Sequence, residues 1–194
     1  MRSFAYLAAV AATAAVAAPA FAQGAPVAGT GLRLEGLAGW DRTQVNGGHE
    51  DGVAYGIGAG YDMAMGGAAI VGADVELTDA STKECAGART ALSPEFCAKA
   101  GRDIYVGGRI GTDLRPGTRL YAKAGYTNAR YKLTSDAGQG DVTLDRANLD
   151  GFRVGAGAEQ ALTANSFVKA EYRYSNYEQG ISRHQVLGGF GMRF

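Results

Sequence analysis

The chain has 194 residues, 46% of them hydrophobic, and its 19 Lys+Arg balance 19 Asp+Glu. That neutrality removes any electrostatic case for a nucleic-acid partner. A mean hydropathy of -0.11, with no long apolar run after the N-terminus, excludes a helical membrane protein. Glycine is the outlier at 30 residues against 4 Pro, about twice its usual ~7% share, and without the Pro content of a disordered Gly/Pro tract.

Residues 1–22 have the three parts of a secretory signal peptide. Arg2 is the positive n-region, Phe4 to Ala18 an Ala-rich apolar stretch, and Ala20-Phe21-Ala22 a small-x-small cleavage site. Cleavage makes Gln23 the expected mature N-terminus, with residues 23–30 a short periplasmic lead and residues 31–194 a single domain. Export permits a disulfide. Cys85 and Cys97 are the only cysteines, and their spacing matches no zinc motif. A bridge between them is therefore expected, worth about 3 kcal/mol in the chain-entropy model.

From Gly31 onward the dominant signal is alternation, the mark of strands with two unlike faces. Leu32, Leu34, Ala38 and Trp40 oppose Arg33, Glu35, Leu37 and Gly39. The pattern then repeats around Val53–Tyr61, Val71–Leu77, Ile104–Ile110, Leu120–Tyr126, Phe152–Ala158, Val168–Tyr174 and Val186–Phe194. This predicts eight strands. Short turns are expected at residues 62–67, 113–117 and 161–165, and long polar loops at residues 41–51, 79–101, 129–150 and 178–183. Short connections on one side and long ones on the other are the plan of an eight-stranded, antiparallel, up-and-down transmembrane β-barrel. The Gly56–Gly60 run resembles a phosphate-binding loop only superficially, because it keeps period two and precedes a turn rather than a helix.

Two features select a membrane barrel over a soluble one. The apolar face carries aromatics near the strand ends, Trp40, Tyr126, Phe152 and Tyr174 toward the long loops and Tyr61, Phe190 and Phe194 toward the turns. These form two girdles at interface height. The other face carries Gly and charge: Arg33, Glu35, Asp74, Glu76, Asp103, Arg109, Lys123, Arg153, Glu159, Lys169, Glu171, Arg173 and Arg193. In so narrow a lumen these charges must pair, since each uncompensated ion costs several kcal/mol. Their balance favours a mutually neutralising plug; the competing reading is a narrow water-filled pore.

The stretch Gly151–Glu159 followed by Lys169–Tyr174 resembles the closing hairpin of small outer-membrane barrels. Gly189-Phe190-Gly191-Met192-Arg193-Phe194 resembles the C-terminal strand read by the barrel-assembly machinery, with Phe190, Met192 and Phe194 as its signal. The chain is thus similar to the OmpA-like or opacity-protein-like group, the "porin family" surface proteins of Gram-negative bacteria. The resemblance implies an outer-membrane location, contact with membrane lipids and lipopolysaccharide, and a structural, antigenic or adhesive role with an unidentified loop ligand. The expected state is a monomer, with no cofactor, no metal site and no nucleic-acid partner. No peptidoglycan-binding domain is expected after Phe194.

Catalysis has little to draw on. Ser182 and His184, with Glu178 as a conceivable third member, are the residues that a lipid-hydrolase reading would need, and Ser-x-His is a common accident. The third loop carries Asp136, Asp141, Asp145 and Asp150, whose spacing does not fit a calcium loop.

Overall fold

A computed structural model describes residues 30–45, 48–86, 95–115, 117–136 and 142–194. The expected signal peptide lies outside the described residues. Among the described residues nine strands follow in chain order: β1 Gly31–Val45, β2 Gly48–Gly66, β3 Ala69–Ala80, β4 Lys83–Ala86, β5 Glu95–Arg115, β6 Thr118–Asp136, β7 Val142–Ala161, β8 Ser166–Tyr177 and β9 Ser182–Arg193. Every pairing is antiparallel between neighbours, β1 joins β9, and β3 pairs with β5. The sheet therefore closes on itself. β3 and β4 both pair with β5 and count as one interrupted stave, so the barrel has eight. The interruption at Ser81 and Thr82 is stitched to β2, where Ser81 N donates to Val53 O and Val53 N donates to Ser81 Oγ.

Closure leaves no free edge within the wall, the condition for backbone in hydrocarbon. The two faces separate by alternation. Ile57 and Ile110 are 64% and 59% exposed on the outside, while Arg153 and Asp103 have no exposed surface inside. At the turn end, hairpins are tight. Gly66 and Gly67 (φ 104° and 60°) reverse β2 into β3, and Gly117 (φ 83°) reverses β5 into β6, conformations that an L side chain rarely adopts.

Among the described residues, the expected loops 41–51, 79–101 and 129–150 are mostly strand, whereas 178–183 holds a single 3-10 turn, Glu178–Gly180, before β9. β1 runs to Val45 and β2 starts at Gly48; β6 continues to Asp136 and β7 resumes at Val142. Period two weakens above the membrane because neither face meets lipid there, so alternation underestimates strand length. The wall is also uneven. The β6–β7 ladder continues out to Ser135–Val142, whereas the β7–β8 ladder stops at Gly151–Tyr177. A sheet of β4, β5, β6 and β7 thus stands above the rest of the rim.

Candidate functional site: a neutralised lumen

The interior is a continuous relay of opposite charges. Starting at the turn end, Arg193 pairs with Glu159, Glu159 with Arg109 (2.8 Å), Arg109 with Asp62 (3.1 Å) and Asp62 with Arg33 (2.8 Å). Arg33 then meets Glu35 (3.4 Å), Glu35 meets Lys169 (2.7 Å), and Lys169 meets Glu171 (3.0 Å). Glu171 passes to Lys123 (2.7 Å), Lys123 to Glu76 (2.6 Å) and Glu76 to Arg153 (3.7 Å). Arg153 pairs with Asp103, Asp103 with Arg183 (3.3 Å) and Arg183 with Asp41 (2.5 Å) near the outer end. Arg173 cross-braces Glu76 and Glu171, Asp74 adds to Arg33, and Arg119 ties Asp62 to Asp113 at the rim.

Among the described residues this network joins nine cations to nine anions, so each sign cancels the other locally. All thirteen charges that parity assigns to the lumen belong to it; Arg193 alone among them is partly exposed. Sequence reasoning missed Asp41, Asp62, Asp113, Arg119 and Arg183, because it ended the strands too soon. Each continues the inward parity of its strand, so the signal was present one to three residues beyond the assigned end.

Three aromatics explain part of the glycine excess. A Cβ on Gly157 would sit 2.6 Å from Tyr121 Oη, one on Gly125 would press on the Tyr105 ring, and one on Gly191 on the Phe167 ring. Each ring fills the place of the missing side chain and turns its face to cations. Arg109 lies 4.6 Å from the Tyr121 centroid, Lys123 5.1 Å from Tyr105, and Arg193 4.4 Å from Phe167. The aromatic thus carries part of the desolvated charge that the carboxylates do not. Tyr121 also donates to Glu171 (2.6 Å), and Tyr177 and Thr127 donate to Asp103 (2.6 and 2.5 Å). Above this layer Ala129, Leu149 and Tyr177 form an apolar cluster backed by Tyr131 and Ile181.

The outer wall is lipid-compatible. Trp40, Tyr61, Tyr126, Phe152, Phe190, Met192 and Phe194 are exposed, and Tyr174 is half-buried against Phe152 and His184. Beyond the outer girdle, on the β1–β2 hairpin, Arg42 stacks 4.9 Å from the Trp40 ring and holds Asp51 through Nε and Nη2. That hydrogen bonding keeps the Asp51 carboxyl below the usual carboxylate range. In register, Cys85 stands directly opposite Cys97 across β4 and β5. The hydrolase residues are not assembled: Ser182 Oγ donates to Gln44 Oε1 at 3.5 Å, and His184 Nδ1 is bonded to the Tyr172 hydroxyl at 2.7 Å. No group of three or more metal-ligating side chains occurs among the described residues.

A closed antiparallel barrel with a lipid-facing apolar wall, aromatic girdles and a charged interior is the architecture of an integral outer-membrane protein. The chain belongs to the outer membrane protein beta-barrel domain family, whose model matches residues 8–194. It is similar to the 22 kDa outer membrane protein of Rhizobium leguminosarum bv. viciae, 31% identical over 109 residues, which are 50% of this chain and 48% of that one. It is also similar to the 25 kDa outer-membrane immunogenic protein of Brucella ovis, 32% identical over 96 residues, covering 50% and 45%. The chain spans about half the length of these curated relatives. Two solved structures share its fold. Ail, the attachment invasion locus protein of Yersinia pestis, superimposes with a TM-score of 0.60 at 16% identity, covering 85% of this chain and 99% of that one. Neisserial surface protein A gives 0.58 at 18%, covering 85% and 98%. The protein is an outer-membrane β-barrel of the Gram-negative envelope.

Proposed function

We propose that this barrel is a closed structural element of the outer membrane that displays its outer strand ends and loops at the cell surface. The observation that carries this reading is the neutralised relay itself. Arg153, Asp103 and Arg173 have no exposed surface, so no water-sized space borders them, whereas a conducting pore keeps its lining wet. Equal numbers of opposite charges also leave no surplus sign to select an ion. Envelope integrity, antigenicity and adhesion through the outer surface are the roles that fit such a wall. The engagement of Ser182 by Gln44 and of His184 by Tyr172 supports a role without catalysis.

The partners follow from the same surfaces. Outer-membrane lipids and lipopolysaccharide meet the girdled wall, and the barrel-assembly machinery meets Phe190, Met192 and Phe194 during insertion. The barrel acts as a monomer, because its hydrogen-bonded wall closes within one chain. The test is single-channel recording of the refolded protein in a planar bilayer, with Arg109→Ala and Glu171→Ala variants alongside. Silence from the wild type is expected. Discrete steps from the wild type that shift with either substitution make the protein a pore instead.

A further inference from the structure

Every junction at the turn end of the barrel carries one large apolar side chain beyond the lipid-facing wall. Met65 leads from β2 into the turn to β3, Leu114 from β5 toward β6, and Leu162 from β7 toward β8, while Phe194 follows β9 beside β1. All four are between 49% and 66% exposed. They continue the outward series of Tyr61, Ile110, Ala158 and Phe190 on their strands. Pairing steps over Met65 and Leu114, which sit in β-bulges, a device that re-aims a side chain. Their places are fixed by backbone hydrogen bonds. Leu162 N donates to Ser166 O, Phe194 N to Leu32 O, and Asp113 N to Ala68 O, each at 2.9 Å. In stave order there is thus one such residue for every two strands around the rim.

The apolar band of the wall ends before these residues. Outward polar residues stand in pairs ten positions apart on three neighbouring strands: Asn128 and Thr118 on β6, Asp150 and Gln160 on β7, Asn176 and Ser166 on β8. Ten residues at ~3.3 Å each and a tilt of about 40° rise roughly 25 Å, the height of the apolar band in such barrels. Thr118 Oγ1 donates to Gln160 Oε1 at 2.7 Å, so the lower boundary is polar and hydrogen-bonded. Leu162 lies one outward position past Gln160, and Leu114 one past Thr112. Apolar side chains therefore resume about 5 Å beyond the boundary.

We infer that Met65, Leu114, Leu162 and Phe194 are membrane anchors that enter the headgroup and upper acyl region of the phospholipid leaflet on the turn side. Two observations select lipid as the occupant. The four are continuous with the lipid-facing wall, and they are spread around the whole rim. A planar layer that encircles the barrel meets all of them, whereas a soluble partner needs apolar residues gathered on one side. Burial of these side chains resists vertical sliding and tilt. It holds Asn128, Asp150 and Asn176 level at the opposite interface. The inference rests on the membrane orientation in the proposed function, with the tight turns toward the periplasm.

The test uses the full exported chain refolded into phosphatidylcholine nanodiscs. Trp40 is the only tryptophan, so in a Trp40→Phe background one introduced Trp reports its own position. Met65→Trp, Leu114→Trp, Leu162→Trp and Phe194→Trp are read separately, with phosphatidylcholine brominated in the upper acyl chain and with aqueous iodide. Ala164→Trp, exposed in the same turn as Leu162, is the control. Bromolipid is expected to quench each anchor position by about twofold or more and the control little, with iodide giving the reverse order. The four probes are independent, so a variant that does not refold leaves the others to decide. Iodide quenching of the anchors equal to the control overturns the inference. So does bromolipid quenching equal at anchors and control, which assigns the effect to tryptophan itself. Lipid contact at one side of the rim only, or shielding from both quenchers that fades on dilution with lipid, assigns the residues to a protein partner or a second copy instead. A barrel that fails here but stays non-conducting and heat-modifiable on a detergent gel leaves the structural reading standing.

Discussion

Lys169 Nζ donates to Glu35 Oε1 across 2.7 Å although 134 residues separate the two in the chain. β8 and β1 are not neighbours in the wall; β9 lies between them. The bond therefore crosses the lumen face of an intervening strand, and Gly189 on β9 is what lets it pass, since a Cβ there would stand 2.8 Å from Lys169 Cγ. Such contacts convert a closed sheet into a braced one.

Breaking that brace on one side strands the other ion. Lys169→Met is expected to lower unfolding free energy by about 3–5 kcal/mol, because Glu35 and Glu171 lose a buried partner. Adding Glu35→Gln should recover part of the loss. Urea unfolding in lipid vesicles, run as a double-mutant cycle, measures both. Strict additivity of the two costs would contradict a direct interaction.

Glycines of the two faces should differ sharply. A Cβ on Gly157 meets both the Ala170 carbonyl and Tyr121 Oη at 2.6 Å, while one on outward-facing Gly36 meets nothing within 4 Å. Gly157→Ala is therefore expected to cost about 1–3 kcal/mol through overpacking. Gly36→Ala should be neutral or stabilising by up to ~1 kcal/mol, through the unfolded chain. Unfolding midpoints of the two variants decide, and equal effects would remove the aromatic-on-glycine explanation.

Cys85 and Cys97 are expected to be bridged in the exported protein, as their opposed register allows. Alkylation before reduction should leave the intact mass unchanged, and alkylation after reduction should add two groups. Modification without reductant would contradict the bridge.

Acid should loosen the β1–β2 hairpin tip first. Arg42 holds the Asp51 carboxyl below its ordinary value. Its contribution is therefore fully present above the unfolded value near pH 4 and is lost as pH falls through the lower folded value. Amide exchange at the tip, residues 42–51, should rise on acidification in that window. In Asp51→Asn the dependence should vanish; its persistence would assign the effect to another group.

The two faces of the wall were legible in the sequence because alternation is a local property. A residue two positions from Arg33 or Arg153 must share its side whatever the rest of the chain does. Girdle residues such as Trp40 and Phe152 were legible for the same reason, being apolar positions at the ends of lipid-length runs. Residues 41, 62, 113 and 183 were assigned to connections, because above and below the bilayer no hydrophobic contrast marks where a strand ends.

Partner choice was decided only in three dimensions. Arg173 meets Glu76 at 2.9 Å across 97 residues of sequence, a pairing set by barrel closure and not by anything near either residue. The bulge between Ala100 and Asp103 brings Lys99 opposite Lys132 instead of letting the lower register of β5 on β6 continue. Parity is carried by each strand alone, so the amino-acid order determines it; register and cross-lumen contact depend on how eight staves close, and only the folded barrel supplies them.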